Sequence, residues 1–370
     1  MGALVELKEN KDIYNYKQNE KTKKNRNYYL DTARGLAAIM IILIHTAFHS
    51  GNSYVPPIVA NFTLLFEVPA FFFLAGWSFS YSKSNKNYVK GLLNIQIKYM
   101  LYMFLVFVAI NITNFYSISN NPVNETTLIN WFFHNYESTA PFSSISGSLW
   151  FFRVYFFVSI IGMVVITVVK PKYRKYICIA CLIAVVLISF FFPSARKIDI
   201  GITIDYLFFY LFFFLLGYLL KDSEVNGKQF GILCAITVIL LAVIRLVTEE
   251  NIWDIQNHKF PPHLIYLLWS MFGIYLIVFA KRYFSNIKKN VISKVGENSI
   301  YFYFAQGIGA SCLYFISQYI TFAWYWKLPI MFGINFIITI IFSTILKKII
   351  DPITKWLDKI TFEDNKQKII

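Results

Sequence analysis

Ten long apolar stretches, separated by short polar ones, decide what this chain can become. They run over residues 29–48, 58–81, 91–116, 148–169, 176–192, 202–220, 230–248, 263–280, 299–320 and 326–350. Each is close to, or longer than, the ~20 residues that carry a helix across about 30 Å of hydrocarbon. With no water in a bilayer core, backbone N–H and C=O groups must bond within the segment, which runs of this kind achieve as helices. The expected fold is an all-α integral membrane protein, a bundle of about ten transmembrane helices. Composition agrees. Hydrophobic residues make up 57% and charged residues only 15%, too few charges to cover several soluble domains.

The 35 Lys and Arg residues set an orientation. Counting residues at span edges with the connection they border, 27 lie in the two tails and the connections after even-numbered spans. Only 4 lie in the connections after odd-numbered spans. This alternation predicts cytoplasmic N- and C-termini. Residues 1–28 read as a basic cytoplasmic tail without the apolar core of a signal peptide. Residues 29–350 read as the membrane domain, and 351–370 as a second basic cytoplasmic tail. Insertion and anionic lipid explain the net charge of +15, so the bilayer is the expected partner and nucleic acid is not. A multi-pass protein of the plasma membrane is expected.

The four cysteines all sit in apolar runs. Cys178 and Cys181 form a CxxC flanked by Tyr-Ile and Leu-Ile-Ala-Val-Val, which reads as small buried hydrophobes rather than a redox or metal pair. Two outer connections are polar enough to hold a ligand or act as lids. The first, 117–147, lacks Lys and Arg, carries Glu125 and Glu137, and has an aromatic segment, 128–136, expected to lie at the membrane interface. The second, 249–262, holds Trp253, Asp254, His258 and a Pro-Pro pair.

Charged side chains inside spans need a reason, since each costs roughly 2.5–3.5 kcal/mol at the helix centre. The first span holds Asp31, Arg34 and His45. Eleven residues at about 100° each make three turns plus roughly 20°, so Arg34 and His45 share one helix face, about 16 Å apart along the axis. Arg34 falls near the cytoplasmic end and His45 in the outer third, with His49 at the outer mouth. Snorkelling of Arg34 and an internally satisfied His45 are the plain alternatives. Asp31 is placed to pair with Arg34. Glu67 precedes Val68-Pro69, where the proline breaks the second span and opens a cavity for the carboxylate. Arg153 is placed to bind an acidic group or to pair with Glu67 or Asp205, Asp205 itself reading as exposed. Arg245 is placed to pair with Glu249.

The segment Leu30-Asp31-Thr32-Ala33-Arg34-Gly35-Leu36-Ala37 through His45 resembles the opening of acyltransferase family 3, multi-span membrane acyltransferases that modify carbohydrates. That family begins with an Arg, ten residues and a His. Phe71-Phe72-Phe73-Leu74-Ala75-Gly76 resembles its Phe-Phe-x-x-Ser-Gly, with Ala75 in place of Ser. Ser148-Leu149-Trp150-Phe151-Phe152, Phe213-Phe214-Leu215-Leu216-Gly217-Tyr218, and Gly296-Glu297-Asn298-Ser299 with Tyr303 resemble later motifs. Where the family often has a His three residues after the Tyr, this chain has Gln306.

The resemblance implies transfer of an acyl group, most often acetyl from acetyl-CoA, to a hydroxyl of a surface or secreted glycan. Acyl-CoA is then a co-substrate and a carbohydrate or glycolipid the acceptor. No bound cofactor and no metal are expected. His45 is the expected general base, an imidazole being basic near neutral pH. Arg34, with Asp31, is expected at the donor, Glu67 as the group orienting His45, and Arg153, Trp150, Gln306 and Tyr303 on the acceptor side. The rival reading is a transporter or glycan exporter without acyl transfer. Against it, Pro69 is a lone clear mid-span breaker, and no repeated half matches it.

Overall fold

The computed structural model describes residues 26–51, 53–116, 123–135 and 143–367. Most of the basic N-terminal tail, and Glu137 with its neighbours, lie outside the described residues. The described residues are mainly helical and form no strand, as an all-α multi-span membrane protein requires.

The first helix, α1 (Tyr28–His49), starts where the Asn27 side chain accepts the Leu30 N–H at 3.0 Å, with Asp31 in the first turn against the positive helix end. The end of the bundle where α1 begins is here called the base, and the other the top. The second span is broken. A short α2 (Pro57–Phe62) and a 3₁₀ turn lead to non-helical Phe66 and Glu67, and α3 (Val68–Phe79) descends from there with Pro69 in its first turn. Next come α4 (Asn85–Phe115), α5 (Glu125–Phe132), α6 (Ser143–Gly147), α7 (Trp150–Val168), α8 (Pro171–Phe190), α9 (Ile204–Leu219) and α10 (Gly227–Thr248). The chain closes with α11 (Leu264–Phe284), α12 (Val291–Glu297), α13 (Ser299–Ile316) and α14 (Trp324–Gln367).

Among the described residues, nine segments are long and apolar enough to cross a membrane. The expected sixth span differs. Its helix, α9, has 16 residues, about 24 Å, and is shorter than a hydrocarbon core. It is also among the most deeply packed, so it crosses inside the bundle where no lipid thickness must be matched. The last helix runs unbroken from Trp324 past residue 350 to Gln367, so the segment expected as a tail continues the tenth span.

Two symmetric glycine crossings tie the helices that carry the sequence motifs. A Cβ on Gly76 of α3 would strike the Phe214 carbonyl of α9, and a Cβ on Gly217 of α9 would strike the Phe73 carbonyl of α3. Likewise, Gly35 of α1 lies on the Ile292 carbonyl and Gly296 of α12 on the Asp31 carbonyl. Backbones approach this closely only where side chains are missing. Gly217→Leu is therefore expected to cost about 3 kcal/mol, the upper end of overpacking penalties, because a backbone carbonyl cannot swing aside. Gly91→Ala, with open space around it, should not destabilise the protein. Thermal unfolding of both variants in detergent checks the contrast.

Aromatic residues form much of the interior. Phe72, Phe73, Phe209, Phe213, Phe214 and Tyr210 are fully buried. Phe72 stacks on Tyr210 at 4.4 Å and Phe209 on Tyr266 at 5.2 Å. Lipid instead faces aliphatic helices such as α10, which exposes Ile236, Val238, Ile239 and Val243. Cys178 and Cys181 are free and buried.

Residues 128–135 of the segment expected at the interface pack beside α4 instead, and Tyr136 lies outside the described residues. The Asn111 side chain donates to the Val123 carbonyl, and the Gln96 side chain to the Phe132 carbonyl. These two α4 residues are fifteen positions apart, so the strand of chain leading through α5 dips about 22 Å along α4. Trp131 is buried there, and the His134 ring lies 4.5 Å from Tyr99 and 5.4 Å from Phe156. Burial of these rings outweighs the amphipathic surface position that the polar flanks suggested.

Candidate active site

Arg34 sits two turns above the base of α1. Its guanidinium donates to the Ser78 hydroxyl of α3 and lies 3.5 Å from Asp31, the pairing expected from their spacing. Asp31 is buried and accepts a second bond, 2.6 Å, from Arg26. Arg26 reads in the sequence as one charge of a basic tail, and its role here was missed. The Asp31 carboxylate in turn holds the Arg26 guanidinium above its ordinary pKa. Glu297, 3.7 Å from Arg26 and 2.9 Å from Lys289, completes a cluster of alternating charge at the base.

A cavity of about 280 Å³ rises from this cluster. Arg26 and Glu297 line its lower part with Arg34, and Ala75, Tyr155, Phe71, Phe151 and Tyr303 line the rest. The volume lies near the lower limit of small-molecule sites, so it suits a slender chain rather than a whole nucleotide. Ala75, the departure from the family's Ser, adds apolar wall to this cavity.

His45 does not line the cavity. It stands eleven residues above Arg34, its ring 5.1 Å from that of His49. Its Nδ1 is buried with no hydrogen-bond partner among the described residues. The helices α1 and α13 rise side by side. Phe302 packs with Ala38 and Ile42, and Gly309 meets Asn335, which bonds Thr46 at 2.9 Å. That register sets Gln306 within about one turn of the height of His45. Gln306 is fully buried, and both its amide atoms also lack partners among the described residues. Tyr303, in the cavity wall, is one turn below Gln306, so the cavity points towards the His45 level.

Glu67 does not orient His45. One of its oxygens accepts from the Lys259 ammonium and the other from the Tyr266 hydroxyl at 2.8 Å. Both members of the ion pair are buried. Lys259, counted in the sequence as a charge of a polar connection, folds inward because the broken second span leaves a buried carboxylate to be neutralised. The two partners are 192 residues apart, a distance over which no local pattern reports.

The residues expected on the acceptor side divide. Trp150 and Arg153 line a groove of about 420 Å³ on the top side, with Asp199, Thr203, Tyr206 and Phe260. Lys259 lies 5.8 Å over the Trp150 ring, and Phe260 meets that ring edge-on at 5.2 Å. Tyr303 belongs instead to the lower cavity and donates its hydroxyl proton to the Ser148 carbonyl. Asp205 is buried rather than exposed, and no ion pair joins it to Arg153 among the described residues.

No curated protein and no solved structure matches the chain. A family model described as an acyltransferase domain matches residues 27–348. That span holds Asp31 and Arg34, the walls of the cavity, the imidazole of His45 and the top groove, with Arg26 one residue before it. With nearly the whole chain matched, the protein belongs to acyltransferase family 3, a family of membrane acyltransferases.

Proposed function

We propose that the protein moves an acyl group, acetyl in the simplest case, from cytoplasmic acyl-CoA to a hydroxyl of a carbohydrate or glycolipid on the outer side of the plasma membrane. The observation that carries this reading is one helix presenting Arg34 in a cavity open at the base and, above it, the half-buried imidazole of His45, whose Nδ1 has no hydrogen-bond partner among the described residues. Anionic CoA groups meet Arg34 and Arg26 at the base, and the acyl arm rises along the apolar walls of the cavity. The acceptor comes from the top side, past Trp150, Arg153 and Phe260. Nδ1 or Nε2 of His45 takes the hydroxyl proton as the oxygen attacks the thioester carbonyl. A C–O bond forms, the C–S bond breaks, and CoA leaves as the thiol after taking up a proton. The many aromatics around the groove suit a sugar face, and Arg153 suits an acidic substituent.

The test is incubation of the purified protein in lipid with radiolabelled acetyl-CoA and candidate glycans, scoring acetyl-sugar and free CoA together. Stoichiometric appearance of both supports the proposal. A protein that binds neither substrate and releases no CoA would return the balance to an exporter.

Arg34→Ala is expected to weaken acetyl-CoA binding by about 10- to 100-fold, the loss of one charge-assisted contact. The fold should persist, because Asp31 keeps Arg26 as its partner. Arg34→Lys should recover part of the affinity, since a point charge lacks the planar fork. Unchanged affinity in Arg34→Ala, measured by calorimetry, would reduce Arg34 to a structural tie to Ser78 and Asp31.

A further inference from the structure

The connection between α10 and α11 gathers three ligating side chains that the mechanism does not use. Glu249, in the left-handed region at φ 59°, turns the chain out of α10 and sets Glu250 facing back over the loop. Oε2 of Glu250 lies 3.8 Å from Nδ1 of His258 and 3.9 Å from Nε2 of His263. All three ligand atoms fall within 4.8 Å of one another. The backbone fixes the two histidines together, since the His263 N–H donates to the His258 carbonyl at 2.9 Å.

The hydrogen bonds around this cluster bear on its purpose. Oε2 of Glu250 is buried and has no hydrogen-bond partner among the described residues. Arg245, expected as its neighbour's ion-pair partner, donates instead to the carbonyls of Glu249 and Glu250. Nε2 of His258 lies 3.2 Å from the Asn251 carbonyl, which can only accept, so Nε2 holds the ring proton. The Nδ1 lone pair is thereby turned to Glu250. A carbonyl that orients a histidine so that its other nitrogen is free is the outer support of metal-binding imidazoles.

We propose that Glu250, His258 and His263 bind a first-row divalent transition-metal ion, with zinc the reference. Two imidazoles and a carboxylate are zinc-type ligands. Tetrahedral zinc with bonds of about 2.0–2.1 Å sets its ligand atoms about 3.3 Å apart, so the cluster has to contract by less than about 1.5 Å. A water takes the fourth position. Ligation through Nε2 of His263 moves that ring's proton to Nδ1, which releases the 3.3 Å cap contact from the Ile265 N–H. The ion acts as a clamp. The residue after His258 is Lys259, so closing the three ligands steadies the stretch of chain that delivers the ammonium to Glu67.

The full-length protein in lipid nanodiscs, stripped with a chelator and dialysed against zinc alone, provides the test. Elemental analysis is expected to find a single zinc ion per chain, and zinc should raise the thermal midpoint. Glu250→Gln and His258→Gln are each expected to lower zinc affinity by at least about tenfold, and the pair together to abolish retention. Both sit on the connection rather than in a helix, so their folding is checked by an unchanged melting curve in chelator. His263→Gln should lose zinc as well, and if it fails to fold through loss of its cap, the other two carry the test. Wild-type protein that retains no zinc above a chelator-treated blank overturns the site, as does undiminished zinc in Glu250→Gln/His258→Gln.

Discussion

His45→Gln is expected to slow acyl transfer by about 10² to 10⁴ while acetyl-CoA binding stays within a factor of two or so of the parent, the range a positioned general base contributes. The substitution keeps approximate size and a polar tip, so α1 should pack as before. Nδ1 of His45 makes no hydrogen bond that the change would break, which separates loss of chemistry from loss of fold. Single-turnover assays in lipid, read beside calorimetric acetyl-CoA binding, distinguish the two. Near-normal turnover in a well-folded His45→Gln protein would make His45 structural. The proton acceptor would then have to be sought at His49, whose ring is 5.1 Å away.

Lys259→Met is expected to destabilise the protein by about 3–5 kcal/mol, because it leaves the Glu67 carboxylate charged and buried beside the Tyr266 hydroxyl alone. Glu67→Gln should cost a comparable amount by stranding the ammonium. The double variant should lose clearly less than the two single losses combined, since neither charge is then left without its partner. Equilibrium unfolding of the three proteins in mixed micelles measures the coupling. Additive losses, or single losses below about 1 kcal/mol, would mean that the two groups do not depend on one another.

The sequence made the bundle legible because lipid imposes a length and an apolarity on every exposed span. It also made α1 legible, because Arg34 and His45 carry a cost that must be met and a spacing that puts them on one face. It failed where burial depends on partners far along the chain. Arg26 reads as one more charge in a basic tail until Asp31 and Glu297 close around it. Lys259 reads as a loop charge until the break at Glu67 is seen to need a cation. The same blindness hid only the shortness of α9, a span expected over 202–220 whose helix has 16 residues and packs among α3 and its neighbours. Glu250, His258 and His263 are spaced without any local rule, and only the turn at Glu249 brings them together.

The chain that dips beside α4 has a consequence for how it is held in place. Helix α5 has eight residues and ends in a left-handed turn at His134, so it cannot be threaded across a bilayer as a span of its own. Its last carbonyls are met by side chains of Gln96 and Tyr99, and the His134 ring just beyond it by Phe152 and Phe156 of α7. Each of these receptors belongs to α4 or α7, so α5 holds its place only through side chains of two other helices, and a substitution in either can loosen it without touching its own sequence.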